Sequence, residues 1–311
     1  MALALVFPGQ GSQSVGMLGE LAAAHAIVRR TFDEASSALG YDLWQLASSG
    51  PAEQLNKTEC TQPAMLVAGV ATFRLWQEQG GRVPELVAGH SLGEYSALVC
   101  AGALDFASTV KLVRERGRLM QAAVPEGSGA MAAILGLDEV AAEAACVDGA
   151  QGEVVEAVNY NAPGQIVIAG HVHAVERAIA AAKARGAKRA VLLPVSVPAH
   201  SSLLKGAAAQ FQERLAEQNI TAPRVRYLSA VDAAEHSDVQ DIRAVLGRQL
   251  ASPVRWTSTV QALTAGGATL LAECGPGKVL TALNRRIDKR AEVSCVAIED
   301  AASLQAALSA T

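Results

Sequence analysis

The pattern of apolar and polar positions in the first 127 residues predicts strands and helices in alternation. Residues 2–7 are apolar throughout, as in a strand that a sheet buries on both faces, and a second short apolar run follows at 85–88. Helical patterns lie between and after these runs, at 17–39, from Thr61 to Gly80, at 92–101 and from Asp105 to Ala123. Such alternation is typical of α/β proteins with a parallel sheet.

The order of the predicted elements changes after residue 127. Short apolar runs predict strands at 130–137, 153–159, 164–169 and 189–196, and helical patterns lie at 138–147 and 171–186. This βαββαβ order is that of a ferredoxin-like domain. We therefore expect residues 128–196 to form a small domain inserted into a large α/β domain, which comprises 1–127 and 197–311.

The end of the chain continues the pattern of the large domain. A helix is expected from Ser202, strands near 224–229 and 268–273, and a last helix and strand after the turn at 274–278. No internal repeat interrupts this order.

Composition and charge narrow the possible classes of protein. Half of the 311 residues are hydrophobic and 18% are charged, which excludes a disordered chain. The net charge of −4 argues against a nucleic-acid partner, and the longest apolar runs are too short for a membrane span. The five cysteines are scattered without metal-ligand spacing. We expect a cytoplasmic protein with reduced thiols that binds neither nucleic acid nor membrane.

The segment Gly89-His90-Ser91-Leu92-Gly93 carries the first candidate chemistry. A Gly-x-Ser-x-Gly segment has catalytic meaning where a strand precedes it and a helix follows, and both flanks are predicted here. The two glycines then permit a sharp turn that exposes the hydroxyl of Ser91 for attack on a carbonyl. The alternative is a plain turn between a strand and a helix.

A serine nucleophile needs a base, and the chain has six histidines. His90 is adjacent to Ser91, so its side chain is expected to point away from the turn. His200 follows a predicted strand and precedes a helix, at the sheet edge where α/β active sites gather. His200 is therefore the candidate base, and the alternative is a histidine that only caps the following helix.

Arg116 is an unusual residue in its predicted helix. Its neighbours one helical turn away include Leu112 and Met120, so the guanidinium projects from the apolar face. A buried guanidinium is costly unless an anion meets it, and two parallel donors suit a carboxylate. Arg116 is thus a candidate substrate clamp, with an internal salt bridge or a snorkelling side chain as the alternative.

The glycine-rich loop at 8–13, PGQGSQ, lacks the fingerprint of a nucleotide-binding loop. Its backbone amides could instead complete an oxyanion site together with the amide of Leu92.

Taken together, these segments resemble the malonyl-CoA:acyl carrier protein transacylases of fatty-acid synthesis and the related acyltransferase domains of polyketide synthases. The resemblance covers nearly the whole chain. The matching segments are FPGQGSQ (7–13), TQPA (61–64), GHSLGEYSAL (89–98), RGRLMQ (116–121), NYNAPGQIVIAG (159–170), VSVPAHSSLL (195–204), SPVRW (252–256) and GPGKVL (275–280).

The resemblance implies an α/β-hydrolase-like large domain, a ferredoxin-like small domain and an active site between them. It further implies malonyl transfer from malonyl-CoA to acyl carrier protein, without a metal or redox cofactor. The roles that it implies are nucleophile for Ser91, base for His200, carboxylate binding for Arg116, oxyanion hole for the amides of Gln10 and Leu92, histidine orientation for the carbonyl of Gln249, and positions next to the substrate for Asn159 and Asn161.

Several points stay open at this level. A serine esterase or thioesterase needs the same serine and base, and a catalytically silent scaffold for a carrier protein is a further alternative. The sequence does not separate a fatty-acid from a polyketide pathway, and the small Ala199 before the histidine leaves the exclusion of α-substituted malonyl groups undecided.

Acyl carrier proteins are typically acidic, so a local basic surface is expected on this acidic chain. Two clusters are candidates, Arg285, Arg286, Lys289 and Arg290 near the end of the chain and Lys183, Arg185, Lys188 and Arg189 in the small domain. Solvated helix ends would explain these cations equally well.

Overall fold

The computed structural model describes residues 2–195 and 197–310. The strands are β1 (Ala2–Phe7), β2 (Leu86–Gly89), β3 (Gly129–Leu135), β4 (Val155–Ala162), β5 (Gln165–His171), β6 (Arg189–Leu192), β7 (Arg226–Leu228), β8 (Glu235–His236), β9 (Ala268–Cys274) and β10 (Ser294–Ile298). The helices are α1 (Gly19–Ala24), α2 (Ala26–Leu39), α3 (Leu43–Ser49), α4 (Ala52–Leu55), α5 (Thr58–Glu78), α6 (Gly93–Cys100), α7 (Phe106–Ala122), α8 (Glu139–Ala150), α9 (Val172–Ala184), α10 (Lys205–Ala216), α11 (Val239–Arg248), α12 (Trp256–Ala265), α13 (Val279–Ile287) and α14 (Ala301–Ser309).

The larger sheet has the strand order β10-β9-β1-β2-β7-β8. Its neighbours are parallel except for the short edge strand β8, which runs antiparallel to β7. The central strand β1 is apolar because helices cover both faces of the sheet, and only Ala2 in it is not fully buried. The predicted parallel-sheet core is confirmed.

The smaller sheet is antiparallel and has the order β4-β5-β3-β6. Counted along this region, the order is 2-3-1-4, with α8 and α9 as the two connecting helices, and this is the ferredoxin-like arrangement. The predicted fold class, α/β with an added ferredoxin-like part, is confirmed. The boundaries at 127/128 and 196/197 stay a prediction.

Backbone hydrogen bonds join the smaller sheet to the larger part of the molecule. The amide of Tyr160 in β4 donates to the carbonyl of Val254 at 2.9 Å, and the amide of Val254 donates to the carbonyl of Val158 at 2.8 Å. Nearby, Arg286 donates from Nη2 to the carbonyl of Pro163 at 3.1 Å. The strand that carries Asn159 and Asn161 is thereby fixed beside the larger sheet.

Two helix predictions were wrong in detail. The predicted helix 17–39 is two helices, because His25 adopts an extended backbone with φ of −135°. The apolar pattern continues through this break, so it does not reveal one extended residue. The helix expected from Thr61 begins at Thr58, and Pro63 lies in its interior, where it removes one hydrogen bond of the helix.

Other differences concern short elements. The sequence pattern did not predict α3, α4, α11, α12, α14 or β8. The strand expected at 189–196 ends at Leu192, and Ser196 lies outside the described residues. Among the described residues, no helix is long and apolar enough to cross a membrane.

Candidate active site

Ser91 lies on a very tight turn between β2 and α6. Its backbone has a φ of +51°, in the left-handed region that non-glycine residues rarely adopt. A Cβ on Gly89 would lie 1.9 Å from the carbonyl carbon of Gly93, and a Cβ on Gly93 would lie 2.0 Å from the oxygen of Phe7. The two glycines are required because the backbone crosses itself here, and the turn exposes the serine hydroxyl.

His200 meets Ser91 although 109 positions separate them in the sequence. Its Nε2 lies 2.7 Å from Ser91 Oγ. Its Nδ1 lies 3.0 Å from the carbonyl oxygen of Gln249 and 3.1 Å from that of Ser252. Carbonyl oxygens only accept hydrogen bonds, so Nδ1 carries the proton and Nε2 accepts from the serine hydroxyl. The sequence analysis named the Gln249 carbonyl but missed that of Ser252.

The imidazole of His200 is held in its neutral form. Burial, together with the positive charge of Arg116, lowers its pKa to about 3. The two carbonyl oxygens act in the opposite direction, but burial prevails. A neutral imidazole can accept a proton from Ser91, as a general base must.

Arg116 is almost completely buried, with 1% of its surface exposed. Its Nη2 donates to Gln249 Oε1 at 3.0 Å and to Ser91 Oγ at 3.3 Å, and its Cζ lies 5.5 Å from the centre of the Tyr95 ring. Burial lowers its pKa, yet a guanidinium remains protonated at neutral pH. Among the described residues, no carboxylate forms an ion pair with it. The internal salt bridge considered for Arg116 is therefore not formed in this part of the chain.

The amides of Gln10 and Leu92 border the same site. Both residues line a cavity of about 460 Å³ that also contains Ser91, Arg116 and His200. In the described chain, neither amide donates a hydrogen bond to the protein. Two free donors beside a serine hydroxyl are the arrangement that an oxyanion hole requires.

Asn159 and Asn161, which both lie in β4 of the smaller sheet, have different surroundings. Asn159 lines the cavity, and its Oδ1 is buried without a partner. Asn161 is instead directed to His90, with 2.8 Å between Oδ1 and Nε2. His90 also lines the cavity, while its ring contacts Asn161 and lies 5.7 Å from the ring of Trp256. The expectation that its side chain points away from the serine turn stays a prediction. The sequence carries no local signal for the contact between His90 and Asn161, because it depends on how the two sheets meet.

A buried carboxylate anchors the start of α6. Glu94 accepts hydrogen bonds from the hydroxyl of Tyr227, from Ser229 Oγ at 3.1 Å and from the amide of Ala230 at 2.9 Å. Burial raises its pKa to about 7. These contacts fix the helix that follows Ser91 to the end of β7, and the sequence analysis did not identify them.

Gln62 and Met120 are among the cavity residues that were not predicted from the sequence. Gln62 lies in α5, inside the TQPA segment, and its polar side chain on a buried helix face was a signal that was not used. Met120 looked like an ordinary core residue.

The fold and the geometry together define a class of protein. A serine on a strand-helix turn, a neutral histidine oriented by carbonyl oxygens, free amides and a buried cation are the parts of a site that forms an acyl-serine intermediate. Within the described chain, no group of three His, Cys, Asp or Glu residues is arranged as metal ligands. The absence of a cofactor stays a prediction.

Comparisons with known proteins identify the family. The profile of the acyl transferase domain matches residues 4–302. The malonyl CoA-acyl carrier protein transacylase of Salmonella typhimurium is 57% identical over 305 residues, which cover 98% of each chain. The protein of that name from Bacillus subtilis is 43% identical and covers 98% of this chain and 96% of its own. The chain belongs to the acyl transferase family.

Solved structures agree with this assignment. An acyl carrier protein S-malonyltransferase of Vibrio cholerae has a TM-score of 0.95 and 55% identity, covering 98% of this chain and 99% of its own. A malonyl-transacylase solved in complex with a holo acyl-carrier protein of a type II polyketide synthase has a TM-score of 0.98 and 53% identity, with 100% coverage of both chains.

Proposed function

We propose that this enzyme transfers the malonyl group from malonyl-CoA to the phosphopantetheine thiol of acyl carrier protein, through a malonyl ester on Ser91. The reaction supplies extender units for fatty-acid synthesis, and we place it in the cytoplasm. The names of relatives that are up to 57% identical over 98% of the chain support this substrate pair.

The buried guanidinium of Arg116 is the observation that carries the proposal. It lies beside Ser91 Oγ, and no carboxylate of the described chain neutralises it. A malonyl group ends in a carboxylate, which can accept two parallel hydrogen bonds from a guanidinium. An esterase that acts on neutral acyl groups has no use for this cation, so the residue favours a carboxylated substrate.

In the first half of the reaction, Ser91 Oγ attacks the thioester carbonyl while His200 Nε2 takes the hydroxyl proton. The amides of Gln10 and Leu92 donate to the oxygen that becomes negatively charged. The carbon–sulfur bond then breaks, and the CoA sulfur leaves with the proton from Nε2. The products of this half are free CoA and malonyl-Ser91.

In the second half, His200 Nε2 takes the proton of the phosphopantetheine thiol. The sulfur attacks the ester carbonyl, the bond from this carbon to Ser91 Oγ breaks, and Oγ recovers the proton. The carbonyl oxygens of Gln249 and Ser252 keep Nδ1 protonated in both halves, so the same nitrogen serves as base and acid.

Transfer requires that water does not hydrolyse the ester first. We infer that the pair formed by Arg116 and the malonyl carboxylate holds the ester in one orientation within the 460 Å³ cavity, away from an activated water. Ala199 lines the same cavity and leaves room next to the histidine, so methylmalonyl groups are a sensible substrate to compare.

Intact-mass measurement after incubation with malonyl-, methylmalonyl- and acetyl-CoA tests the proposal. The wild-type protein is expected to gain one malonyl group, and Ser91→Ala is expected to gain none. Addition of holo acyl carrier protein should then remove the group from the enzyme and load it on the carrier.

Two results would contradict this function. Sustained release of free malonate without a carrier would identify a thioesterase, and the absence of any acyl adduct on the wild-type protein would favour a non-catalytic scaffold.

A further inference from the structure

Two buried donors converge on one thioether next to the site of acyl transfer. Gln62 Nε2 lies 3.1 Å from Met120 Sδ, and Arg116 Nη1 lies 3.3 Å from the same sulfur. Gln62 comes from α5, whereas Arg116 and Met120 are one turn apart in α7. All three side chains line the cavity that contains Ser91.

The protein itself satisfies these polar groups poorly. Gln62 is 1% exposed, and its Oε1 and the Nε of Arg116 are buried without partners. A thioether sulfur is only a weak acceptor, so the contact with Met120 offsets little of the cost of burying two donors. Buried side chains with a purely structural role normally find full hydrogen-bond partners. The arrangement therefore suits an acceptor stronger than sulfur.

We propose that Gln62 is a second donor to the carboxylate of the acyl group, beside Arg116, and that Met120 Sδ is the acceptor that this carboxylate replaces. This inference rests on the proposed function. It adds Gln62 as a residue that determines the specificity of the enzyme for the acyl group.

The chemistry of the three side chains supports this role. The carboxylate has two oxygens, so Arg116 and Gln62 can donate to it together without competing for one atom. The methionine side chain has three rotatable bonds and no branch, so it can leave the sulfur position without moving α7. Because an acetyl group lacks the carboxylate, it gains nothing from Gln62, and the side chain discriminates between the two acyl groups.

Single-turnover acylation of the Gln62→Met variant tests the inference. The rate of Ser91 acylation is measured by intact mass with malonyl-CoA and with acetyl-CoA, and a fluorophosphonate probe reports the reactivity of Ser91 independently. We expect malonyl acylation to fall about 10- to 100-fold, as for the loss of a hydrogen bond to a charged group. Acetyl acylation and probe labelling should fall less than about threefold.

Gln77→Met is the matched control, because Gln77 lies exposed in the same helix. Its ratio of malonyl to acetyl acylation should equal that of the wild type. Equal losses for malonyl-CoA, acetyl-CoA and the probe in Gln62→Met would give Gln62 a structural role and overturn the inference. An unchanged malonyl rate would overturn it as well.

The variant Gln62→Glu keeps the shape of the side chain and serves if Gln62→Met fails to fold. A carboxylate at this position repels the malonyl carboxylate, so the ratio of malonyl to acetyl acylation should fall further than in Gln62→Met. An unchanged ratio in this variant would contradict the inference.

The wild-type reaction separates this inference from the proposed function. If the wild type forms no malonyl-Ser91, the proposed function fails and the role of Gln62 with it. If the wild type is malonylated and both Gln62 variants keep its ratio of malonyl to acetyl acylation, only the inference about Gln62 fails.

Discussion

At the scale of single residues, the two side chains that exchange a proton both stand on strained backbone. Ser91 has a φ of +51° and His200 a φ of +67°. Such conformations cost about 1–3 kcal/mol each and persist where the surrounding structure enforces them. The surroundings also determine the protonation state of His200, because burial and the charge of Arg116 keep its imidazole neutral.

The first prediction concerns Arg116. Replacement by alanine removes the cation that faces the malonyl carboxylate and should cost malonyl acylation about 2–5 kcal/mol, as for loss of a buried charged partner. Acetyl acylation should fall much less. Single-turnover rates with the two thioesters measure this difference. Arg118→Ala is the control, because Arg118 is exposed on the same helix and pairs with Glu115. Equal losses for both thioesters in Arg116→Ala would refute the clamp.

The second prediction concerns the pH dependence of acylation. His200 acts as a base only when deprotonated, so a pKa lowered from 6.5 to about 3 moves the acidic loss of activity to lower pH. The rate of malonyl acylation should therefore show no inflection near the ordinary histidine pKa of about 6.5. Rapid-quench rates from about pH 5 to about pH 8 would show this.

A matched variant tests the cause of that shift. Arg116→Met removes a cation that lowers the pKa of His200. The pH at which the rate falls on the acidic side should therefore be higher in this variant than in the wild type. Labelling by a fluorophosphonate probe measures this without a carboxylated substrate. The lowered pKa of His200 would be contradicted if the wild-type rate fell near pH 6.5, or if the pH of the acidic fall were the same in Arg116→Met.

At the scale of elements, the site depends on how closely β1, β2 and α6 approach one another. The third prediction follows from this. Gly93→Ala would place a Cβ 2.0 Å from the carbonyl oxygen of Phe7, so it should destabilise the fold by about 3 kcal/mol or more. Denaturant unfolding monitored by circular dichroism measures the change in the free energy of unfolding.

Gly206→Ala is the corresponding control. Gly206 lies in α10, where a Cβ would meet nothing within 4 Å, so this change should stabilise the protein by up to about 1 kcal/mol. If Gly93→Ala were about as stable as the wild type, the backbone of Phe7 would leave room for a Cβ at Gly93, and the prediction would be wrong.

The sequence predicted the elements that have strong local signals. The apolar run of β1, the helix start at Asp105 and the glycines around Ser91 each act over a few residues, and all three features appear in the structure. The carbonyl of Ser252 and the contact between His90 and Asn161 depend on packing between distant segments. A single sequence carries no local pattern for such contacts, so they had to come from the structure.

At the scale of the whole molecule, each of the two basic clusters contains one cation that is already paired with a carboxylate in the described chain. Arg290 pairs with Asp288 at 2.6 Å, Arg185 pairs with Asp148 at 2.5 Å, and Arg286 contacts Gln165 and Pro163. In the described chain, no ion pair forms at four further exposed residues, Lys183, Lys188, Arg189 and Lys289. These four cations are therefore the better candidates for contact with an acidic carrier protein.

The fourth prediction is that charge reversal at these cations weakens carrier binding alone. Lys188→Glu combined with Arg189→Glu, or Lys289→Glu, should raise the KM for acyl carrier protein about tenfold, because contact between opposite charges is replaced by repulsion. The KM for malonyl-CoA should stay constant. Steady-state transfer assays with each substrate varied in turn measure both constants.

Lys111→Glu is the control, since Lys111 lines a separate shallow depression with Ala38 and Leu39. A carrier KM that is unchanged in both charge-reversal variants would exclude these surfaces.

The backbone ladder between Val254 and β4 also limits how the molecule can move. Val254 is bonded on one side to Tyr160 and on the other to Val158, so the ferredoxin-like part cannot swing as a free flap without breaking main-chain bonds. Ser91 and His200 lie in one cavity of about 460 Å³, so we expect the CoA donor and the carrier arm to occupy it in turn. If both thiols need this one space, the first must depart before the second arrives, and we expect two-step exchange kinetics.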